Sequence, residues 1–131
     1  MKTLAKFALC VVVACSLIFS AAAQDVINTV IGGGPTGLPG VNANMYQPYQ
    51  EAIDASGNIY VASTPLQKVF RISTNGVETI IAGNGTAGYN GDGIAATSAN
   101  LNSPRGVTVD KAGNLYIADY FNQRVRKVTP D

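Results

Sequence analysis

The chain has 131 residues, with nine Lys and Arg against eight Asp and Glu and no histidine. Without histidine it lacks both the commonest general acid/base and the imidazole metal ligand. Lys2 and Lys6 fall in the leading segment 1–24, so beyond it seven basic side chains face eight acidic ones, a net charge of −1. Nothing electrostatic then draws the chain to nucleic acid or anionic lipid.

Residues 1–24 are expected to be a signal peptide. Lys2 and Lys6 give a basic start, residues 7–19 are almost wholly apolar, and Ser20-Ala21-Ala22-Ala23 offers an Ala-x-Ala cleavage site. The segment is too short, with these flanks, for a membrane anchor. An uncleaved anchor and a lipoprotein-type match at Val13-Ala14-Cys15 are the competing readings. The apolar run continues through Leu17-Ile18-Phe19 beyond the cysteine, which argues against the second. Cleavage removes both cysteines, Cys10 and Cys15, and leaves no thiol for a disulfide or a thiolate metal site. The expected product is secreted, periplasmic or held at the cell surface, with no membrane contact after cleavage.

Residues 25–131 have the length of one domain. A strand is expected at 27–31, then a first unit over about 50–82, with strands at 50–54, 58–63, 68–73 and 77–82. Asp54-Ala55-Ser56-Gly57-Asn58 supplies one hairpin turn and Ser73-Thr74-Asn75-Gly76 another; Asn-Gly between two β-type runs is the strongest short-range hairpin signal. A turn-rich connection covers 83–104, and a partial second unit covers about 105–129.

The second unit repeats the first at a constant offset, the one that carries Asp54 onto Asp110. Pro48/Pro104, Asp54/Asp110, Gly57/Gly113, Asn58/Asn114, Tyr60/Tyr116, Ala62/Ala118, Gln67/Gln123 and Val69/Val125 are identical pairs. Residues 27–31 likewise match 77–81 at a slightly shorter offset. Self-similarity near a period of about 50 indicates a repeat architecture, and four short antiparallel strands per repeat describe one β-propeller blade. The expected fold class is therefore all-β, an incomplete ring of about two blades. A closed ring takes about four to eight, so the chain reads as the N-terminal piece of a longer protein or as a truncated reading frame. The alternative is a ring of copies, each donating its N-terminal strand to a neighbour. Its first partners are then the remaining blades or copies of itself.

The run at 104–128, with Gly106-Val107, Val109-Asp110, Gly113-Asn114-Leu115-Tyr116-Ile117-Ala118-Asp119, Asn122, Arg124-Val125 and Lys127-Val128, resembles the NHL repeat. The segment 82–104 is similar to the spacer between repeats in secreted bacterial NHL proteins. The first repeat departs where Gln50-Glu51 stands for Gly106-Val107 and Ser63-Thr64-Pro65 for Asp119-Tyr120-Phe121. The resemblance implies a propeller module that binds a protein or glycan through loops on one face, without catalysis or cofactor. It also brings in a second reading, a metal-dependent propeller enzyme of lactonase or lyase type. That chemistry needs inward carboxylates or amides at the starts of several innermost strands, where this chain offers Gln50-Glu51 and Arg105-Gly106. RNA binding, known for some intracellular NHL domains, is disfavoured by export and by charge.

Gly83-Asn84-Gly85-Thr86-Ala87-Gly88 spells a dinucleotide fingerprint, but that mechanism needs a helix opening at the third glycine. Tyr89-Asn90-Gly91-Asp92-Gly93 follows instead, and a stretch so rich in glycine will not start one. Asn90 and Asp92 have oxygen donors without the spacing of a calcium loop. Asn84-Gly85-Thr86 is a formal glycosylation sequon. Loops on a propeller face commonly contact ligands, so Tyr89, Asn90, Asp92, Asn100 and Arg105 are the candidate ligand-binding residues. Ile94, Ala95, Ala96 and Leu101 are expected to anchor the connection. Asp54 and Asp110, recurring with Asn58 and Asn114, are expected to close turns. Arg124, Arg126 and Lys127 form a basic strand end, solvated or paired with Asp110 or Asp119.

Overall fold

Strands β1 (Pro48–Ile53), β2 (Ile59–Ser63), β3 (Lys68–Ile72) and β4 (Glu78–Ala82) hydrogen-bond in that order as an antiparallel meander. A second meander contains β5 (Pro104–Val109), β6 (Leu115–Asp119) and β7 (Arg124–Val128). The computed structural model describes Met45 and residues 47–130; the expected signal peptide and the expected strand at 27–31 lie outside the described residues. The two sheets share their register. Tyr60 pairs with Arg71 in the first, and their repeat counterparts Tyr116 and Lys127 pair in the second. The first is a four-stranded propeller blade, and the second repeats its first three strands.

The β1–β2 and β5–β6 turns show why the repeat keeps Asp, Gly, Asn and Tyr. Asp54 Oδ1 accepts from the backbone N–H of Ser56 and Asn58 at 2.9 Å each, and its Oδ2 accepts from Asn58 Nδ2 at 2.8 Å and the Tyr60 hydroxyl at 3.1 Å. Asp110 receives the same four bonds from Ala112, Asn114 and Tyr116. Gly57 and Gly113 sit at φ 85° and 83°, where a Cβ is strained. The carboxylate thus replaces backbone partners that a tight turn cannot supply.

At Asp54, burial works against the ionised form, but the Asn58 amide, the Asn58 N–H and the Tyr60 hydroxyl outweigh it and hold the pKa below the usual carboxylate range. At Asp110 the Asn114 side chain is the largest influence, in the same direction. A carboxylate whose folded pKa is depressed contributes stability that is complete above its unfolded pKa of about 3.9 and fades as pH falls through the folded value. Urea midpoints are therefore expected to fall as the pH drops below about 4. The double variant Asp54→Asn/Asp110→Asn should be less stable at pH 7 and show a shallower acid slope.

Core residues come from both faces of the first sheet. Val61, Phe70 and Ile72 pack with Met45 on one side. Ala62, Val69 and Ala82 face the second sheet, where Val107, Leu115 and Ile117, with Leu101 of the connection, complete a cluster between the blades. Both faces of a stacked blade are covered, which blurs the alternation expected of a half-buried strand. The outer face of the second sheet is different. Val69 is 0% exposed, while Val125, the same residue at the same place in the repeat, is 70% exposed.

The strands that begin each sheet start irregularly. β1 has one extra residue against β2 between Pro48 and Glu51, and β5 one extra against β6 between Pro104 and Gly106. Just before each bulge stands a non-glycine residue in the left-handed region, Gln47 at φ 46° and Ser103 at φ 54°. Such bulges bend a strand and re-aim its side chains. Here the re-aimed positions are Tyr49, Gln50 and Arg105.

Candidate functional site

The connection from 83 to 104 is closed on itself by amides. Gly83 N donates to Ala96 O at 2.9 Å, Asn84 N to Ala99 O at 3.0 Å and Gly88 N to Leu101 O at 3.2 Å. The glycine-rich stretch therefore spends these N–H groups on its own loop rather than presenting them to a phosphate. Asn84 Nδ2 donates to Asn100 Oδ1 and Ser98 O; Asn90 Nδ2 donates to Ser98 O, and its Oδ1 accepts from Asn100 N at 2.7 Å. Asparagine suits this task because one side chain both donates and accepts.

Arg126 is the pin. It reaches from β7 to form an ion pair with Asp92 at 2.8 Å and donates to Gly91 O at 2.8 Å and Asn100 O at 3.3 Å. Its guanidinium also lies 3.8 Å from Asp119 Oδ2. Tyr89 donates to Asp92 at 2.7 Å, and Arg124 stacks over the Tyr89 ring at 3.7 Å. The Tyr89 bond, with Arg126 and Arg124 beside it, holds the Asp92 carboxyl below its ordinary pKa despite opposing desolvation. The same bond raises the Tyr89 phenol.

Asp119 sits beneath this loop, fully buried. It accepts from Asn102 N at 2.7 Å and Asn122 Nδ2 at 2.8 Å; that same Asn122 amide donates to Gly88 O at 2.7 Å. Phe121 N donates to Asn102 O at 3.0 Å. The β6–β7 turn and the long connection are thereby joined into one surface.

Arg105 belongs to a second group on that surface. Its guanidinium carbon lies 3.7 Å from the Tyr120 ring centre, 5.5 Å from Tyr49 and 5.8 Å from Phe121. The Tyr120 and Phe121 rings are themselves 5.1 Å apart. Exposure of these rings is high: 57% for Tyr49, 50% for Tyr120 and 60% for Phe121. Among the described residues Arg105 has no hydrogen-bond or ion-pair partner, and its Nε is buried. A Cβ at Gly106 would stand 2.7 Å from Gln50 Oε1 and 3.4 Å from the Ala118 Cβ, so a side chain there would first have to move the flexible Gln50 amide.

The five sequence candidates therefore divide. Tyr89, Asn90, Asp92 and Asn100 come together, bonded to one another, to Arg126 or to the loop backbone, and their first task is to hold the loop shut. Arg105 stands apart with its aromatic neighbours. Sequence reasoning missed Tyr49, Tyr120 and Phe121. The signal for the last two was present, because they replace Thr64-Pro65 in a turn that needs no aromatic ring. It also missed Arg126 as the pin, although pairing with Asp119 was one of the expectations. Leu101 is buried in the inter-blade cluster, whereas Ile94 is 44% exposed and contributes little anchoring. Among the described residues no group of three or more acidic or thiol side chains is placed to hold a metal ion.

Residues 101–128 match the family described as NHL repeat. Teneurin-1 of Mus musculus is 34% identical over 91 residues, covering 60% of this chain and 3% of that protein. Teneurin-1 of Caenorhabditis elegans is 34% identical over 99 residues, with coverages of 66% and 4%. Among solved structures, an auxiliary nutrient binding protein from Bacteroides thetaiotaomicron aligns with a TM-score of 0.60 and 28% identity, over 75% of this chain and 27% of that one. Another from Bacteroides ovatus gives 0.61 and 27%, over 75% and 26%. The chain spans a few per cent of these curated relatives and about a quarter of these solved chains.

Proposed function

We propose that this chain, which carries an NHL repeat at 101–128, is part of an exported propeller module. It binds a protein or glycan on the face formed by the long connection and the β6–β7 turn, and it performs no catalysis. The observation that carries this reading is the contrast on that face. One set of side chains is saturated and holds the loop rigid, while beside it a half-buried arginine stands unpaired among exposed rings. A pre-ordered loop loses less entropy when a ligand settles on it. The two similar Bacteroides structures are titled nutrient binding proteins, which supports binding over turnover. The basic, apolar and Ala-x-Ala succession of residues 1–24 supports export. The exposed Ala118 and Val125, whose counterparts Ala62 and Val69 are buried by the next sheet, support a further blade on the outer face as the first partner.

Metal analysis of the purified chain, followed by lactone hydrolysis with and without chelator, tests the absence of catalysis. The expected result is no stoichiometric divalent cation and no hydrolysis. Stoichiometric calcium or zinc with chelator-sensitive turnover would replace the binding module with a metal-dependent propeller enzyme.

A further inference from the structure

We infer that the Arg105 cluster is a subsite for an acidic sugar, with a hexuronate carboxylate on the guanidinium and the sugar ring against Tyr49, Tyr120 or Phe121. The inference rests on the loop-face binding reading and narrows its ligand to one class. Two positions that are far apart in the chain carry it. The bulges at the starts of β1 and β5 turn Tyr49 and Arg105 toward each other, and the β6–β7 turn brings Tyr120 and Phe121 to the same cation.

Of the four arginines, all among the described residues, Arg126 alone forms an ion pair, with Asp92 at its closest. Among the described residues Arg105 meets no carboxylate. Neighbouring carboxylates do not serve it: Asp110 is committed to its own turn, Asp119 to Asn102 and Asn122, and Glu51 forms no ion pair with any described residue. A guanidinium stacked on Tyr120 is held flat, and a flat fork matches a carboxylate with two parallel N–H donors. Of the Arg105 nitrogens only Nε is buried, and the terminal Nη groups form no hydrogen bond or ion pair with any described residue, so an incoming acid displaces no protein partner.

The surrounding surface favours a sugar over a protein. Three exposed rings offer flat faces to the C–H faces of a pyranose.

The test is titration of the full chain with oligogalacturonate and with a neutral galacto-oligosaccharide of the same length, at low and at physiological salt. The chain has six tyrosines and no tryptophan, so a tyrosine fluorescence change is assigned to this cluster by its loss in Tyr49→Phe and Tyr120→Phe, and calorimetry checks it. The acidic oligomer should bind at least about tenfold more tightly than the neutral one, as expected for hydrogen bonds to a charged group, and salt should weaken it. Arg105→Gln should remove that preference, Arg105→Lys should restore part of it, and the exposed Phe121→Ala should weaken both oligomers. Equal affinity for both, unchanged in Arg105→Gln, would overturn the acidic class and leave loop-face glycan binding in place. If a folded chain, verified by circular dichroism, bound neither oligomer, the sugar subsite would be overturned. Protein binding on the same face would then be the surviving form of the parent reading.

Discussion

Replacing Phe70 by alanine is expected to lower the unfolding free energy by about 3–5 kcal/mol, the range for a fully buried Phe. Phe70 is the largest side chain of the fully buried set and packs with Met45, Val61 and Ile72. Truncation both loses its transfer free energy and leaves a cavity that neighbours on rigid strands cannot close. Urea denaturation followed by circular dichroism measures the change. Val125→Ala is the control: the exposed valine of β7 should change stability by no more than about 0.5 kcal/mol. A loss in Phe70→Ala no larger than in the control would mean that the Val61/Phe70/Ile72 face is not packed as described.

The second large effect is electrostatic. Asp119→Ala is expected to cost about 3–5 kcal/mol, because removing one member of a buried charged network leaves the others unpaired. Asn102 N–H and the Asn122 amide lose their acceptor, and Arg126 loses one of its two facing carboxylates. The damage should be local as well as global. Asn122 also ties the β6–β7 turn to Gly88, so limited proteolysis should find new cleavage within 83–104 before the blades unfold. Asp119→Asn keeps an acceptor oxygen and should lose less. Equal protease resistance in Asp119→Ala and the parent chain would show that the carboxylate is not what seats the loop.

Both effects rest on features with different visibility in the amino-acid order. Phe70 was readable as a β-strand residue but not as the centre of a core, since its repeat partner is Arg126, a residue of opposite character at the same register position. Blade one faces apolar neighbours there, and blade two faces Asp92 and the loop carbonyls. Asp119 read as a break from Ser63 and as one possible partner for the basic end of β7, and only the folded chain added Asn102 and Asn122 around it.

Taken by itself, the order of residues determined the blade. Asp54 reaches Ser56, Asn58 and Tyr60, and Asp110 reaches Ala112, Asn114 and Tyr116, each bond closing within a single turn and the start of the next strand. Bonds that short are dictated by local geometry, so a repeated motif implies a repeated structure. The binding face depends on contacts of another kind. Tyr49 and Arg105 belong to different repeats, and Arg126 and Asp92 to a strand and a loop separated by two whole strands. They meet because two sheets stack through Ala62, Val69, Leu115 and Ile117 and because bulges turn the first strands at their starts. Stacking and bulging are settled by the packing of whole sheets, a property that no short window of sequence contains.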